Sequence, residues 1–171
     1  MSTAAKTTTS RATKTDAIHL LMQDHKQVKA LFKDYDKLVN TSAASSEKLD
    51  LAMKICAMLT AHTTVEEELF YPAARKALGK DEDLIDEASV EHASVKDLIA
   101  QIEGSSPGEA LYDAKMKVMS EFIDHHVKEE ETEMFPKLKK SSLDTEALGA
   151  RMARRKEELL QEAGYEADAV S

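Results

Sequence analysis

The chain has 171 residues, of which 23 are Lys or Arg and 32 are Asp or Glu, so its formal net charge is −9. This length fits one well-buried domain, and the acidic charge argues against binding to nucleic acid. The composition includes five Gly, three Pro and the single cysteine Cys56, which favours helices and excludes an internal disulfide framework.

The N-terminal residues 1–15, MSTAAKTTTSRATKT, are basic, rich in Ser and Thr, and free of acids. They lack the apolar stretch of a secretory signal, so we expect a disordered tail. No apolar run in the chain reaches the length needed to span a membrane. Together with the lone cysteine, these features predict a cytoplasmic protein without a membrane partner.

The first two predicted helices each carry one inward-facing stripe. Residues 16–40 repeat apolar side chains and His25 at spacings of three and four, which is typical of a helix with one buried face. After the polar segment TSAASS, a second helix places His62, Glu66 and Leu69 on its stripe. Pro72 should end or kink this helix, because proline lacks the backbone donor that a helix interior needs.

The third helix is predicted over residues 83–103, with His92 on its inward face. The segment GSSPGEA follows it. Within that segment, Ser106, Pro107 and Glu109 match a capping box with proline at the first helical position. We therefore expect the fourth helix to begin near Pro107.

The fourth helix should place Met119, Phe122, His126 and Glu130 inward. A fifth amphipathic segment over residues 144–163 carries a few apolar side chains among many charges. It is interpreted as a surface helix laid on the other four, or as a contact for an oligomer.

Two motifs occur twice in the chain. HTTVEEELFYP (62–72) and HVKEEETEMFP (126–136) share a His, a Glu four residues later and a Pro six residues after that Glu. DHKQVKALF (24–32) and EHASVKDLI (91–99) share an acid, a His and the pair Val-Lys. The two halves are therefore copies of one αα-hairpin, and two such hairpins can bury each other's apolar stripes.

The predicted fold is all-α, an up-down-up-down four-helix bundle with an additional C-terminal helix. The bundle should span residues 16–140, and residues 141–171 should form the C-terminal helix and a tail.

The four inward histidines should lie at one level, because each pair is placed almost symmetrically about its connecting turn. Glu66 and Glu130 follow a histidine by four residues, so they face the same region. Burying these polar side chains without partners would be costly, and a metal centre resolves the cost. Imidazole nitrogen and carboxylate oxygen suit iron, with zinc as an alternative, and the carboxylates can bridge two ions. The predicted ligands are His25, His62, Glu66, His92, His126 and Glu130.

Neighbouring residues leave some alternatives open. His125 competes with His126, because Glu129 gives it the same spacing, but the alignment of the two prolines selects His126. Glu67 and Glu131 follow the proposed ligands directly. They either lie in solvent and orient other groups or supply a further ligand.

The ordered set of His25, then His62 and Glu66, then His92, then His126 and Glu130 resembles the hemerythrin-like family, in its His-His-Glu cation-binding branch. The resemblance covers roughly residues 16–140. It implies a four-helix bundle with a non-haem di-iron centre, oxo- or hydroxo-bridged, that binds O2 or other small ligands such as peroxide or nitric oxide.

Two departures from the oxygen-carrying hemerythrins bear on function. Lys96 stands where those proteins have a further histidine, and Glu131 stands where they have an aspartate. The resemblance as a whole implies sensing, storage or carriage of a small ligand. The missing histidine favours an alternative, a di-iron enzyme that decomposes hydrogen peroxide. A further alternative is iron sensing, supply or repair.

Overall fold

The computed structural model describes residues 16–79 and 83–165, and these residues form seven α-helices and no strand. The predicted tail over residues 1–15 lies outside the described residues. Two π-helical segments, Glu66–Phe70 and Glu130–Met134, continue the helices that precede them. The α-helices are α1 (Ala17–Asn40), α2 (Ser45–Val65), α3 (Tyr71–Leu78), α4 (Asp83–Glu103), α5 (Tyr112–Glu129), α6 (Phe135–Leu138) and α7 (Thr145–Glu162).

Four of these helices form a closed ring of neighbours. Helix α1 packs against α2 and α5, α4 packs against the same two helices, and α7 lies across α1 and α2. The predicted all-α fold, a four-helix bundle with one additional C-terminal helix, is confirmed. Because α7 covers only the α1/α2 face, the corresponding α4/α5 face has no such cover among the described residues.

Local signals at the helix ends explain why several bounds agree with the sequence. The side chain of Asp16 accepts a hydrogen bond from the backbone N–H of His19 at 3.0 Å, and Asp144 accepts one from Ala147 at 2.9 Å. Such side-chain acceptors satisfy donors that the first helical turn leaves unpaired. At the end of α3, Gly79 adopts a φ of 57°, which a side chain would strain.

The π-helical segments account for the two prolines inside continuous helices. In each segment the hydrogen bond runs over one extra residue, from the Tyr71 N–H to the Glu66 carbonyl and from the Phe135 N–H to the Glu130 carbonyl. This wider turn makes room for the proline ring that follows, which would clash with the preceding turn of an α-helix. Pro72 therefore does not end the helix, which continues to Leu78.

Each extra residue also shifts the buried face of the helix by one position. Phe70 is fully buried, whereas Leu69, which the uninterrupted α-helical period places inward, is half-buried. In the second copy Met134 is the buried counterpart of Phe70. The prediction for Leu69 was therefore only partly right.

Two predictions about the fourth bundle helix were wrong. It begins at Tyr112 rather than near Pro107, although the backbone N–H of Ser106 does donate to Glu109 at 2.8 Å. Only this half of the capping box forms, and Leu111 turns the chain into α5 with a φ of 71°. Phe122 is 42% exposed, and its neighbour Ile123 fills the core.

The core has two large apolar clusters with a polar layer between them, and a small third cluster joins Ala61 of α2 to Leu160 of α7. One cluster includes Leu21, Phe70 and Met134, and the other includes Phe32, Ile55 and Met119. None of the helices in the described part of the chain is both long and apolar enough to cross a bilayer.

Candidate metal centre

Six buried polar side chains from both hairpins meet in the layer between the two apolar clusters. None of them is more than 6% exposed. They are the six residues that the sequence predicts as ligands: His25, His62, Glu66, His92, His126 and Glu130.

Each glutamate lies between two histidines of different helices. The two π-helical segments begin at these glutamates, so the same irregular turn positions both carboxylates. For Glu66 Oε2, the distances are 3.2 Å to His62 Nε2 and 3.3 Å to His92 Nε2; for Glu130 Oε2, they are 3.3 Å to His25 Nε2 and 3.6 Å to His126 Nε2.

The other ring nitrogen of every histidine contacts a carboxylate outside this inner group. Such contacts fix the orientation of an imidazole and leave its Nε2 for a metal. The distances from Nδ1 are 2.9 Å for His25 to Glu131, 3.3 Å for His62 to Asp24, 3.0 Å for His92 to Glu67 and 2.9 Å for His126 to Glu91.

These outer contacts repeat with two-fold symmetry. Asp24 and Glu91 directly precede the histidines of α1 and α4, and each contacts the histidine of the other helix in its own hairpin. Glu67 and Glu131 directly follow the inner glutamates, and each contacts a histidine of the opposite hairpin. Glu67 and Glu131 thus orient imidazoles, which is one of the two roles that the sequence left open.

The inner imidazoles differ in their electrostatics: burial lowers the pKa of His62 and His92, whereas at His126 burial is outweighed by the carboxylates of Glu130 and Glu91, which raise the pKa. Burial, with a further contribution from His126, lowers the pKa of His92 to about 2. Burial and the neighbouring carboxylate of Glu130 raise the pKa of Glu66 well above its ordinary value. Burial opposes ionisation of Glu130 as well, but the imidazoles of His126 and His25 lower its pKa. The pair therefore retains a proton that a cation would replace.

Several atoms of the inner group have no hydrogen-bond partner. They are Nε2 of His25, both carboxylate oxygens of Glu66 and Oε2 of Glu130. An unpaired buried polar group costs roughly 1–3 kcal/mol. Neutral imidazole nitrogens and carboxylate oxygens are ligands for a transition metal, so the donor set fits a metal centre.

The potential ligand atoms form two groups that share one carboxylate. Atoms of His25, His62, Glu66 and Glu130 all lie within 4.8 Å of one another, and so do atoms of Glu66, His92 and His126. A shared carboxylate is the usual way to hold two ions side by side. The arrangement therefore fits two metal ions, and Glu66 would help to hold both of them.

Tyr71 reaches the same centre, although the sequence did not single it out from the other tyrosines. Its hydroxyl donates to Glu130 Oε1 at 3.1 Å and lies 3.2 Å from His92 Nε2. Burial, followed by the charges of Glu130 and Glu66, raises the pKa of this phenol. What distinguishes Tyr71 from the other tyrosines is its position directly after the π-helical segment, five residues after Glu66.

Lys96 occupies the position where oxygen-carrying hemerythrins have a further histidine. Its ammonium lies 2.7 and 2.6 Å from the two carboxylate oxygens of Glu67, and its side chain is 42% exposed. Lys96 therefore acts on the centre only through Glu67 and His92. The group near His92 consequently has fewer imidazole nitrogens than the resemblance to oxygen carriers implies.

His125 lies outside the centre, with 59% of its side chain exposed, whereas the side chain of His126 is 2% exposed. This placement agrees with the alignment of the two prolines. A small cavity of about 10 Å³, the space of about one water, borders the centre. It is lined by three of the histidines and by apolar residues: His25, His62, His126, Val28, Met58, Leu59, Ile123 and Val127, with Asp24 and Lys156 at one side.

Comparisons with known proteins agree with a helical cation-binding domain. The profile described as "Hemerythrin HHE cation binding domain" matches residues 16–138. A solved structure of a hemerythrin HHE cation binding domain-containing protein from Mycobacterium kansasii is 25% identical, covers 86% of this chain and 88% of its own, and has a TM-score of 0.69. A protein of Nostoc named "DNA nickase" is 27% identical over 152 residues, which are 86% of this chain but only 41% of the relative.

Proposed function

Since the chain belongs to the hemerythrin HHE cation-binding family, we propose that its buried centre holds two iron ions and binds a small ligand such as O2, nitric oxide or hydrogen peroxide. The observation that carries the proposal is the pair of ligand groups that share Glu66, with their unpartnered buried atoms. In this proposal the four histidines and two glutamates hold the metal. Zinc remains the alternative ion, because the donor types also suit it.

The size of the neighbouring cavity supports a ligand of only a few atoms. It offers about 10 Å³ beside three histidines, and its remaining walls are mostly apolar. Two bound iron ions would supply an exchangeable coordination position and reversible one-electron oxidation.

The residues of the chain have separate tasks in this proposal. The inner histidines bind through Nε2, and their Nδ1 contacts with carboxylates keep each ring in place. The apolar clusters on both sides exclude water, which strengthens the electrostatic interactions in the centre. The Tyr71 hydroxyl holds a proton at hydrogen-bond distance from Glu130.

Tyr71 supports a second candidate function, the decomposition of hydrogen peroxide. In that reaction two H2O2 give two H2O and one O2, so peroxide is both oxidant and reductant. A buried phenol beside the centre holds a proton that can be donated and taken back during such a cycle. The name of the Nostoc relative refers to DNA nicking, but the net charge of −9 gives no electrostatic support for binding a phosphate backbone.

The test begins with metal analysis and optical spectra of protein purified in air, then without oxygen, and then with nitric oxide or peroxide. About two irons per chain and a spectrum that changes reversibly with O2 or nitric oxide would support ligand binding. Sustained release of O2 from peroxide would favour the enzyme. In that case Tyr71→Phe should lower the rate, whereas Tyr35→Phe, far along the bundle, should not. Zinc or no metal would refute both candidates.

A further inference from the structure

A second group of potential metal ligands lies at the surface, on the face formed by α4 and α5. Atoms of Glu87, His125 and Glu129 all lie within 4.8 Å of one another. His125 Nε2 is 3.2 Å from Glu129 Oε1 and 3.4 Å from Glu91 Oε1. Two carboxylates and one imidazole therefore converge at a place that solvent reaches, and the carboxylate of Glu91 lies against the same imidazole.

This outer group touches the buried centre through Glu91. One of its carboxylate oxygens faces His125, and the other lies 2.9 Å from His126 Nδ1. Glu91 is 17% exposed, whereas His126 is 2% exposed. The same side chain thus belongs to the surface group and to the network that orients an inner histidine.

A narrow cavity lies between the outer group and the centre. Its volume is about 10 Å³, and its walls include Glu91 and Glu129 of the outer group together with His126 and Glu130 of the centre. Glu130 is 1% exposed, and its Oε2 atom has no hydrogen-bond partner. The cavity therefore brings the outer group next to an inner carboxylate, Glu130.

The internal repeat shows that this polar face is not required by the bundle. The positions equivalent to Glu87, His125 and Glu129 in the first half of the chain are Leu20, Ala61 and Val65. All three of those residues are buried.

Helix α7 covers that first face. Its Lys156 forms an ion pair with Asp24, the counterpart of Glu91, and Leu160 of α7 packs against Ala61. The two halves therefore build the same inner centre but opposite exteriors. One exterior is closed by a helix, and the other, as far as residues 16–79 and 83–165 show, is open and lined with oxygen and nitrogen donors.

We propose that Glu87, Glu91, His125 and Glu129 form an outer site for a divalent cation, and that the buried centre is loaded through it. The mixed carboxylate and imidazole donors suit Fe²⁺ or Mn²⁺. Its exposure leaves positions for water, so the ion is held weakly enough to move inward. The binding of a cation here stands by itself, while the loading role rests on the proposed metal centre.

The test uses the double variant Glu87→Gln with His125→Ala, which leaves Glu91 and every proposed inner ligand in place. Its control is His19→Ala with Glu121→Gln, a matched pair of exposed residues outside the group. The number of Mn²⁺ ions bound per chain is counted from the electron paramagnetic resonance of free Mn²⁺. The rate of Fe²⁺ uptake by metal-free protein is followed without oxygen, with the final iron content as a second readout.

We expect the double variant to bind one Mn²⁺ fewer than the wild type and the control. It should take up Fe²⁺ about tenfold more slowly, because electrostatic focusing of a cation at the entrance is lost. The final iron content should be unchanged. Equal Mn²⁺ counts and equal uptake rates in the double variant and the control would overturn the outer site.

The two proposals fail in different ways. Lower final iron at an unchanged uptake rate would overturn the loading role, because the substituted residues would then be supporting the inner centre. A wild-type protein that binds Mn²⁺ only at the outer site and takes up no Fe²⁺ would refute the buried metal centre and leave the outer site established. If the double variant folds poorly by circular dichroism, Glu87→Gln alone, at an exposed position, carries the same comparison.

Discussion

The outer carboxylates give the sharpest test of the buried centre, and Glu131 is one of the two most accessible of them. Glu131→Ala removes the oxygen 2.9 Å from His25 Nδ1, so the ring loses the contact that points its Nε2 inward. Losing such a partner typically costs 10- to 100-fold in metal affinity. Because Glu131 is 34% exposed, water replaces part of the contact. We therefore expect the lower end, about tenfold, which corresponds to about 1.4 kcal/mol.

The measurement is competition for Fe²⁺ without oxygen against a chromophoric chelator. Glu133→Ala is the control, since it removes an exposed carboxylate from the same π-helical segment and changes the net charge equally. Glu131→Gln should recover part of the affinity, because its amide oxygen accepts a hydrogen bond from the same ring nitrogen. If Glu131→Ala and Glu133→Ala lowered the affinity to the same extent, net charge alone would explain the loss and the orienting role would be wrong.

Three further outcomes are expected. Metal affinity should rise with pH, because the pKa of Glu66 is raised and its carboxyl group must lose a proton before metal binds. Calorimetry in buffers of different ionisation enthalpy should detect the release of this proton. An affinity independent of pH would contradict this. Metal at about 100 times its Kd should raise the free energy of unfolding by about 2.7 kcal/mol, and His62→Ala should abolish most of that increase in thermal melting. Asp113→Ala should destabilise the metal-free fold by roughly 1–3 kcal/mol in urea, since the buried Tyr35 hydroxyl loses its acceptor, whereas the exposed Asp124→Ala should cost less than about 1 kcal/mol.

The long helices were predictable because their signals are local. The bounds of α4 agree with the predicted range, and α1 and α7 begin directly after the acids Asp16 and Asp144, which accept hydrogen bonds from their first turns. The grouping of the six inner residues was also predictable, since helical spacing and the internal repeat place them at one level. Their role as ligands remains a prediction that metal analysis must test.

The features that the sequence did not predict arise from contacts between helices and from irregular turns. A π turn has no characteristic residue, so the shift that buries Phe70 in place of Leu69 could not be read from the helical period. The position of Tyr71 beside the centre follows from that same turn. Phe122 was predicted to face inward because it lies four residues before His126, which fits the helical period. The neighbouring helices leave that side of α5 exposed.

The two-fold repetition of the centre has a consequence for how such a site can arise. One hairpin supplies two histidines, one inner glutamate and both kinds of orienting acid, and the acid after that glutamate is oriented toward the partner hairpin. A shorter chain with a single hairpin would therefore build the entire centre by associating as an isologous dimer. After duplication and fusion of such a chain, the sequences of the two halves could change independently of each other. Among the described residues, one exterior is covered by α7 and the other is open, which shows how far the halves have diverged around six inner residues that both halves repeat.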